Sequence, residues 1–168
     1  MDLTPGGPDD TGTLLDMFDA RVAWMVGRGQ PDQWGSEPWS ADPAKAERVR
    51  GMASGGGLWL ARIDGMPAGA LVVSDEHASY VPPAEEPELY VVLLITMPEF
   101  AGRGVGRALL DHARTLAVQR GVGLMRVDCW AGREGALVRY YTRAGFTPTE
   151  TFHVGDWPGQ VLEQRLPG

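Results

Sequence analysis

Two stretches of the sequence carry residue types and spacings suited to chemistry. The first, Ala101-Gly102-Arg103-Gly104-Val105-Gly106-Arg107, combines three glycines with two arginines. Glycine lets a backbone approach a ligand closely, and where such a segment opens a helix its N–H groups and the helix dipole favour an anion. With the Arg103 and Arg107 charges beside it, the natural guest is a phosphate or pyrophosphate. It is not a Walker loop, because no Gly-Lys-Ser/Thr follows, and the glycine order and downstream acidic residue of a dinucleotide fingerprint are not met. The second stretch, from Ala136 to Phe146, reads as a helix carrying adjacent Tyr140 and Tyr141 one turn before Gly145. Neighbours on a helix point about 100° apart, so the two tyrosines cannot share one role. One packs, and the other is positioned to present its hydroxyl.

The elements that must position these residues follow from apolar periodicity. Leu14, Leu15, Phe18, Val22, Met25 and Val26 recur at helical spacing over Thr13–Val26, with Asp10 or Thr11 as cap and Gly27 as stop. Asp42-Pro43 caps and opens a second helix ending near Gly55. The period then changes. Leu58–Ile63 and Ala68–Val73 flank Asp64-Gly65, a hairpin signal. After a proline-bearing loop, Leu89–Thr96 is a continuous apolar run that reads as a central strand buried on both faces. The glycine segment leads into a helix to about Arg120, followed by a strand Leu124–Trp130, a helix from about Arg133 to Ala144, and strands near Phe146–Val154 and Gln160–Leu166. Residues 1–12 read as a loose lead-in able to add an edge strand. The predicted order is α-α-β-β-β-α-β-α-β-β, an α/β (α+β) fold in a single domain 1–168, with a helical region at 13–55 and a core at 57–166.

Composition narrows the function classes. The 168 residues suit one domain, and 43% apolar with 22% charged residues is the balance of a soluble globular protein. No apolar run approaches the roughly 20 residues that span a bilayer, so no membrane role is expected. The N-terminus lacks the basic and apolar regions of a secretory signal, and the cytoplasm is the expected location. A net charge of −7 argues against a nucleic acid partner, whose phosphates need clustered Lys and Arg, and suits a cationic substrate better. The lone Cys129 excludes an intrachain disulfide, and His77, His112 and His153 show no ligand spacing, so no metal is expected.

The order and separation of the two chemistry-bearing segments resemble the GNAT superfamily of N-acetyltransferases. Gly104 and Gly106 match the strand–turn–helix consensus Gln/Arg-x-x-Gly-x-Gly/Ala, and Tyr141, Gly145 and Phe146 match Tyr-x-x-x-Gly-Phe. The resemblance spans roughly residues 57–166. It implies a mixed, centrally splayed sheet flanked by helices, with acetyl-coenzyme A as acyl donor. It implies that Leu94, Ile95 and Thr96 pair through their backbone with pantetheine, that the amides of Gly102, Arg103, Gly104, Val105, Gly106 and Arg107 cradle the pyrophosphate, and that Tyr141 protonates the departing thiolate. Two positions depart from the pattern. Ala101 stands where Gln or Arg is usual, and Glu134 stands where many members carry an Asn that contacts the cofactor. Trp24, Gln33, Trp34 and Trp39 fall in the region that covers the acceptor pocket in that family.

An alkylammonium of pKa ~10 is neutral in only roughly one molecule per few thousand at pH 7, and only the neutral amine attacks a thioester. Asp128 and Glu88, each on a strand bordering the implied split, are the candidate bases, with Asp128 ranked ahead; a solvated carboxylate or an ion pair with Arg126 is the structural alternative for each. Cys129, alternating with Asp128, reads as a small core residue. The sequence therefore predicts an N-acetyltransferase that acetylates a primary amine of a small molecule by direct transfer in a ternary complex. A protein or peptide acceptor, or a non-catalytic acyl-coenzyme A or ligand-binding module of the same fold, is the alternative. A homodimer is compatible with either.

Overall fold

The computed structural model describes residues 1–167. In chain order the elements are β1 (Asp2–Pro5), α1 (Thr11–Gly27), α2 (Pro43–Ser54), β2 (Leu58–Ile63), β3 (Met66–Ser74), β4 (Glu88–Thr96), α3 (Val105–Gln119), β5 (Leu124–Trp130), α4 (Gly132–Arg143), β6 (Thr147–Val154) and β7 (Trp157–Arg165). The strands form a seven-stranded mixed sheet in the order β1-β2-β3-β4-β5-β7-β6, with β4 and β5 parallel. No helix among the described residues is long and apolar enough to cross a membrane. The chain forms two compact units, Met1–Val72 with Leu93–Leu110, and Val73–Val92 with Asp111–Gly168.

The first unit holds the N-terminal helices. On α1, Leu14, Met17, Phe18, Val22 and Met25 are all buried, as their spacing of three and four requires. They pack with Trp39, Val49, Ala53, Leu58, Leu60, Ala70, Val72, Leu93, Ile95 and Met97 into one core. Burying each large apolar side chain of this kind contributes roughly 1.5–3 kcal/mol. α2 starts where Asp42 accepts hydrogen bonds from the amides of Ala44 (2.9 Å) and Lys45 (3.4 Å), with Pro43 in the first turn. Asp64 (φ 52°) and Gly65 (φ 78°) make the β2–β3 turn with two positive φ angles, the twist that a two-residue hairpin needs. The lead-in adds β1, antiparallel to β2 from Asp2↔Arg62 to Pro5↔Trp59, so the predicted order gains a strand at its start. That strand satisfies backbone groups that β2 would otherwise expose at the sheet edge.

In the second unit β4 pairs with β5 from Glu88↔Leu124 to Val91↔Val127, and β5 pairs with β7 along its whole length. The β4–β5 register ends there, while the strands run on to Thr96 and Trp130. Burial of β4 on both faces accordingly holds only over its first four residues. Beyond them Val92 is 40% exposed and Leu94 and Thr96 are half-buried, while Leu93 and Ile95 stay buried. β7 begins at Trp157, earlier than the sequence suggests, because the β6–β7 hairpin pairs out to Val154↔Trp157. Right-handed α4 begins later than expected, because Arg133 (φ 53°), Glu134 (φ 58°) and Gly135 (φ 74°) all lie in the left-handed region.

Candidate active site

In the first unit, the chain leaves β4 through two tight turns. The amide of Phe100 donates to the Met97 carbonyl, that of Ala101 to Pro98, and that of Arg103 to Phe100, at 3.0–3.1 Å. Gly102 (φ 79°) and Gly104 (φ 73°) then take left-handed conformations that would cost an L-residue roughly 1–2 kcal/mol each. The first helical bond of α3 runs from the Ala108 amide to the Gly104 carbonyl (3.0 Å). The amides of Val105, Gly106 and Arg107 are therefore the first-turn donors that a helix leaves for an outside acceptor. Gly102, Arg103, Gly104 and Arg107 are exposed, which leaves both guanidiniums at the mouth of this turn. Of the six predicted cradle residues, Arg103 spends its amide on Phe100, so its contribution is its side-chain charge.

The start of α3 is held in place by close packing. A Cβ at Gly69 on β3 would lie 2.8 Å from both the Ile95 carbonyl oxygen and Val105 Cγ1, so only glycine permits this approach of β4 and α3. The Met97 amide donates to the Ala68 carbonyl at 2.8 Å and pins the end of β4 beside it. Leu94, Ile95 and Thr96 thus lead directly into the glycine-rich turn. An extended polar arm along the strand and a pyrophosphate at the helix start fit these residues.

The tryptophans of the first unit divide into two settings. Trp39 is buried, stacked on Phe18 at 4.3 Å and 14°, and its indole N–H donates to the Trp34 carbonyl at 3.2 Å. Trp34 is half-buried and tilted against Phe18 at 5.1 Å. Trp24 is half-buried between the guanidiniums of Arg21 (4.6 Å) and Arg28 (4.2 Å). Gln33 is half-buried in the connection between α1 and α2.

The second unit holds the titratable candidates. Glu88 and Arg126 form a bidentate pair, with Arg126 Nε and Nη2 donating at 2.8 Å to the two carboxylate oxygens and both side chains 5% exposed. The hydrogen bond to Glu88 leads the effects that raise the Arg126 pKa. Arg126 Nη1 also donates to the Pro82 carbonyl at 2.9 Å. Asp128, two residues further along β5, is half-buried and accepts hydrogen bonds from the Tyr90 and Tyr80 hydroxyls, the latter at 3.5 Å. Burial first, then the charge of Asp128, push the Tyr90 pKa far up, so this hydroxyl stays a donor. The two tyrosines were not readable as partners of Asp128. Tyr90 owes its place to the β4–β5 register, where it stands opposite Arg126, and Tyr80 to a loop without periodicity.

Tyr141 is buried, with Tyr140 at 5.2 Å and Phe146 at 5.7 Å, both edge-on. Tyr140 is 40% exposed, so the pair divides into a buried and a surface member, as adjacency requires. Burial raises the Tyr141 pKa strongly, with smaller contributions from Cys129, Tyr140 and Asp128. Cys129 is a buried free thiol whose pKa burial, helped by Asp128, pushes up to about 12. Glu134 is exposed in the left-handed turn before α4, and its carbonyl accepts a hydrogen bond from Arg139 Nη1.

The sheet is mixed, with β4 and β5 parallel, and β4 runs through a glycine-rich turn into an arginine-flanked helix start. Residues 21–146 match the Acetyltransferase (GNAT) family, and the chain belongs to that family, whose acyl donor is acetyl-coenzyme A. It is 44% identical over 92 residues to a mycothiol acetyltransferase of Beutenbergia cavernae, a match covering 54% of this chain and 28% of the relative. The chain spans between 28% and 40% of the length of the curated relatives it matches. Among solved structures it resembles the GCN5-related N-acetyltransferase from Rhodopseudomonas palustris, with TM-score 0.71, 20% identity and coverage of 98% of this chain and 95% of that one. It also resembles yncA of Salmonella typhimurium, solved with its cofactor acetyl-CoA, with TM-score 0.64, 16% identity and coverage of 99% and 94%. At these identities the structural likeness is one of fold.

Proposed function

We propose that the protein transfers the acetyl group of acetyl-coenzyme A to a primary amine of a small molecule, directly, in a ternary complex. The observation that carries the reading is the turn from Met97 to Arg107, which sets first-turn amides and two exposed arginines at the start of α3 within a chain of the acetyltransferase family. A small acceptor is favoured because the 44%-identical relative is named for mycothiol rather than for a protein.

Bound acetyl-coenzyme A supplies a thioester whose carbonyl carbon accepts the amine nitrogen, so that a C–N bond forms, the C–S bond breaks and a thiolate leaves. The residues of this chain do the rest. The amides of Val105, Gly106 and Arg107, with the Arg103 and Arg107 charges, hold the pyrophosphate, and Leu94–Thr96 orient the pantetheine arm. Asp128 takes the role of base, receiving the proton that the ammonium sheds and passing it to water. Glu88 is left out of that role because Arg126 occupies both of its oxygens. Tyr141 donates its proton to the thiolate and is reprotonated by the proton that the nitrogen sheds as the amide forms. On reference values a tyrosine of pKa ~10 has little tendency to protonate a thiolate of pKa ~8.5. Burial raises the Cys129 thiol to about 12 and raises Tyr141 as well, so it strengthens a buried thiolate as a base and weakens the acid together, and most of the rate comes from positioning rather than from this proton transfer.

The test is thiol release from acetyl-coenzyme A with a panel of small amines and, separately, peptides with free N-termini. Release with small amines supports the reading. Release with peptides alone moves the acceptor to the protein class, and coenzyme binding without release by any acceptor identifies a ligand-binding module.

A further inference from the structure

From the surroundings of Asp128 we infer an acceptor subsite for a primary ammonium borne on an aromatic or similarly apolar body, with Tyr80 as the residue that selects it. The inference rests on the acetyltransferase reading and specifies its acceptor. On β5 and β7, Asp128 stands opposite Val161 and Trp130 opposite Gly159; on β6, Phe152 stands opposite Gly159. Residues opposite each other in an antiparallel pair share a face, so Asp128, Val161 and Phe152 lie on one side of the sheet. The Phe152 ring lies over Gly159, where a Cβ would come within 2.2 Å of it. Tyr80 tilts against Phe152 at 5.1 Å, and Phe152 against Trp157 at 6.2 Å. The result is a shelf of three rings running up to a carboxylate.

The chemistry of that shelf favours a cation with an apolar tail. Tyr80 and Tyr90 donate their hydroxyls to the Asp128 carboxylate and so orient it. The nearby Arg126 charge is already matched by Glu88 in their bidentate pair. Tyr80 is 40% exposed, so its ring is accessible to a ligand. An ammonium beside Asp128 and within about 6 Å of the Tyr80 ring gains from both the carboxylate and the ring quadrupole. A ligand carboxylate next to the amine would be repelled by Asp128. Amine and amino acid acceptors are thereby separated.

The measurement is calorimetric titration of the full chain with phenethylamine, 2-phenylethanol and L-phenylalanine, with and without saturating coenzyme A. Phenethylamine is expected to bind at least tenfold more tightly than 2-phenylethanol, which lacks the charge, and than L-phenylalanine, which adds a carboxylate. Tyr80→Leu should weaken phenethylamine about three- to tenfold, Tyr80→Phe should restore it because the ring is kept, and Asp128→Asn should weaken it tenfold or more. Equal binding of 2-phenylethanol, tighter binding of L-phenylalanine, or an unchanged affinity in Tyr80→Leu would overturn the subsite. Because binding is read without turnover, these results stand apart from thiol release, whose absence would count against the transferase reading instead.

Discussion

Replacing Glu88 by Gln should cost stability and spare chemistry. The substitution keeps the shape of the side chain but leaves the Arg126 guanidinium charged, 5% exposed and without its bidentate carboxylate. Removing one partner of a buried ion pair costs about 3–5 kcal/mol. Arg126 keeps its bond to the Pro82 carbonyl and its position 5.7 Å from the Tyr90 ring, which places the expected loss at the lower end, about 3 kcal/mol. In a protein of this size each kcal/mol lowers Tm by about 2–4 °C, so a drop on the order of 6–12 °C is expected. Thermal unfolding followed by circular dichroism, with urea unfolding as a check, measures it. The double variant Glu88→Leu with Arg126→Met should recover part of the loss, since no buried charge remains. Turnover of Glu88→Gln, assayed well below its Tm, should stay within about threefold of wild type, whereas loss of a general base costs typically 10²–10⁴-fold. A Tm within 2 °C of wild type, or a hundredfold loss of turnover in the folded variant, would refute the structural assignment of Glu88.

Four further outcomes follow from the site. Tyr141→Phe should lower turnover by one to three orders of magnitude with acetyl-coenzyme A affinity nearly unchanged, and unaltered turnover would remove Tyr141 as the acid. Gly104→Ala forces an L-residue to φ 73°, a strain of roughly 1–2 kcal/mol, and should weaken acetyl-coenzyme A about 5- to 30-fold in calorimetry where the strain is relieved by distorting the turn. Cys129, with a pKa of about 12, is almost wholly protonated at pH 8, so in the native state it should react with iodoacetamide about 10³-fold more slowly than an ordinary thiol of pKa ~8.5. The sign for stability follows from the same shift: above about pH 8.5 the unfolded chain loses this proton while the native state keeps it, so stability falls as pH rises from there towards 12. Cys129→Ala should flatten that alkaline fall in Tm.

The legible parts of this protein are those fixed by local spacing. The Asp42-Pro43 start of α2, the Asp64-Gly65 turn and the glycines before α3 each act through neighbours a few residues away and appear where the sequence puts them, and the α1 stripe does so at Leu14, Phe18, Val22 and Met25, whereas Val26 is 42% exposed and Met17 is buried. The parts that were not legible depend on pairing across strands. β1 is the edge strand that the lead-in is able to add, but which residues form it and in what register with β2 comes only with the sheet. The Leu89–Thr96 run does not reveal that its register with β5 stops at Val91, so the exposure of Val92 comes only with the sheet. In the same way, Glu88 and Asp128 both read as strand-borne carboxylates able to act as the base, with Asp128 only ranked ahead. Register and loop placement separate them, giving Glu88 an arginine and Asp128 two tyrosines. The left-handed turn at Arg133–Gly135 also escaped notice, because only its last residue is a glycine.

The most direct test is calorimetric titration of the purified chain with acetyl-coenzyme A, with coenzyme A, ATP and NAD as comparisons. Micromolar binding of the two coenzyme A compounds, at least a hundredfold tighter than ATP or NAD and weakened in Gly104→Ala, is the result the account predicts. Absence of binding, or binding of ATP or NAD with equal affinity, would contradict it.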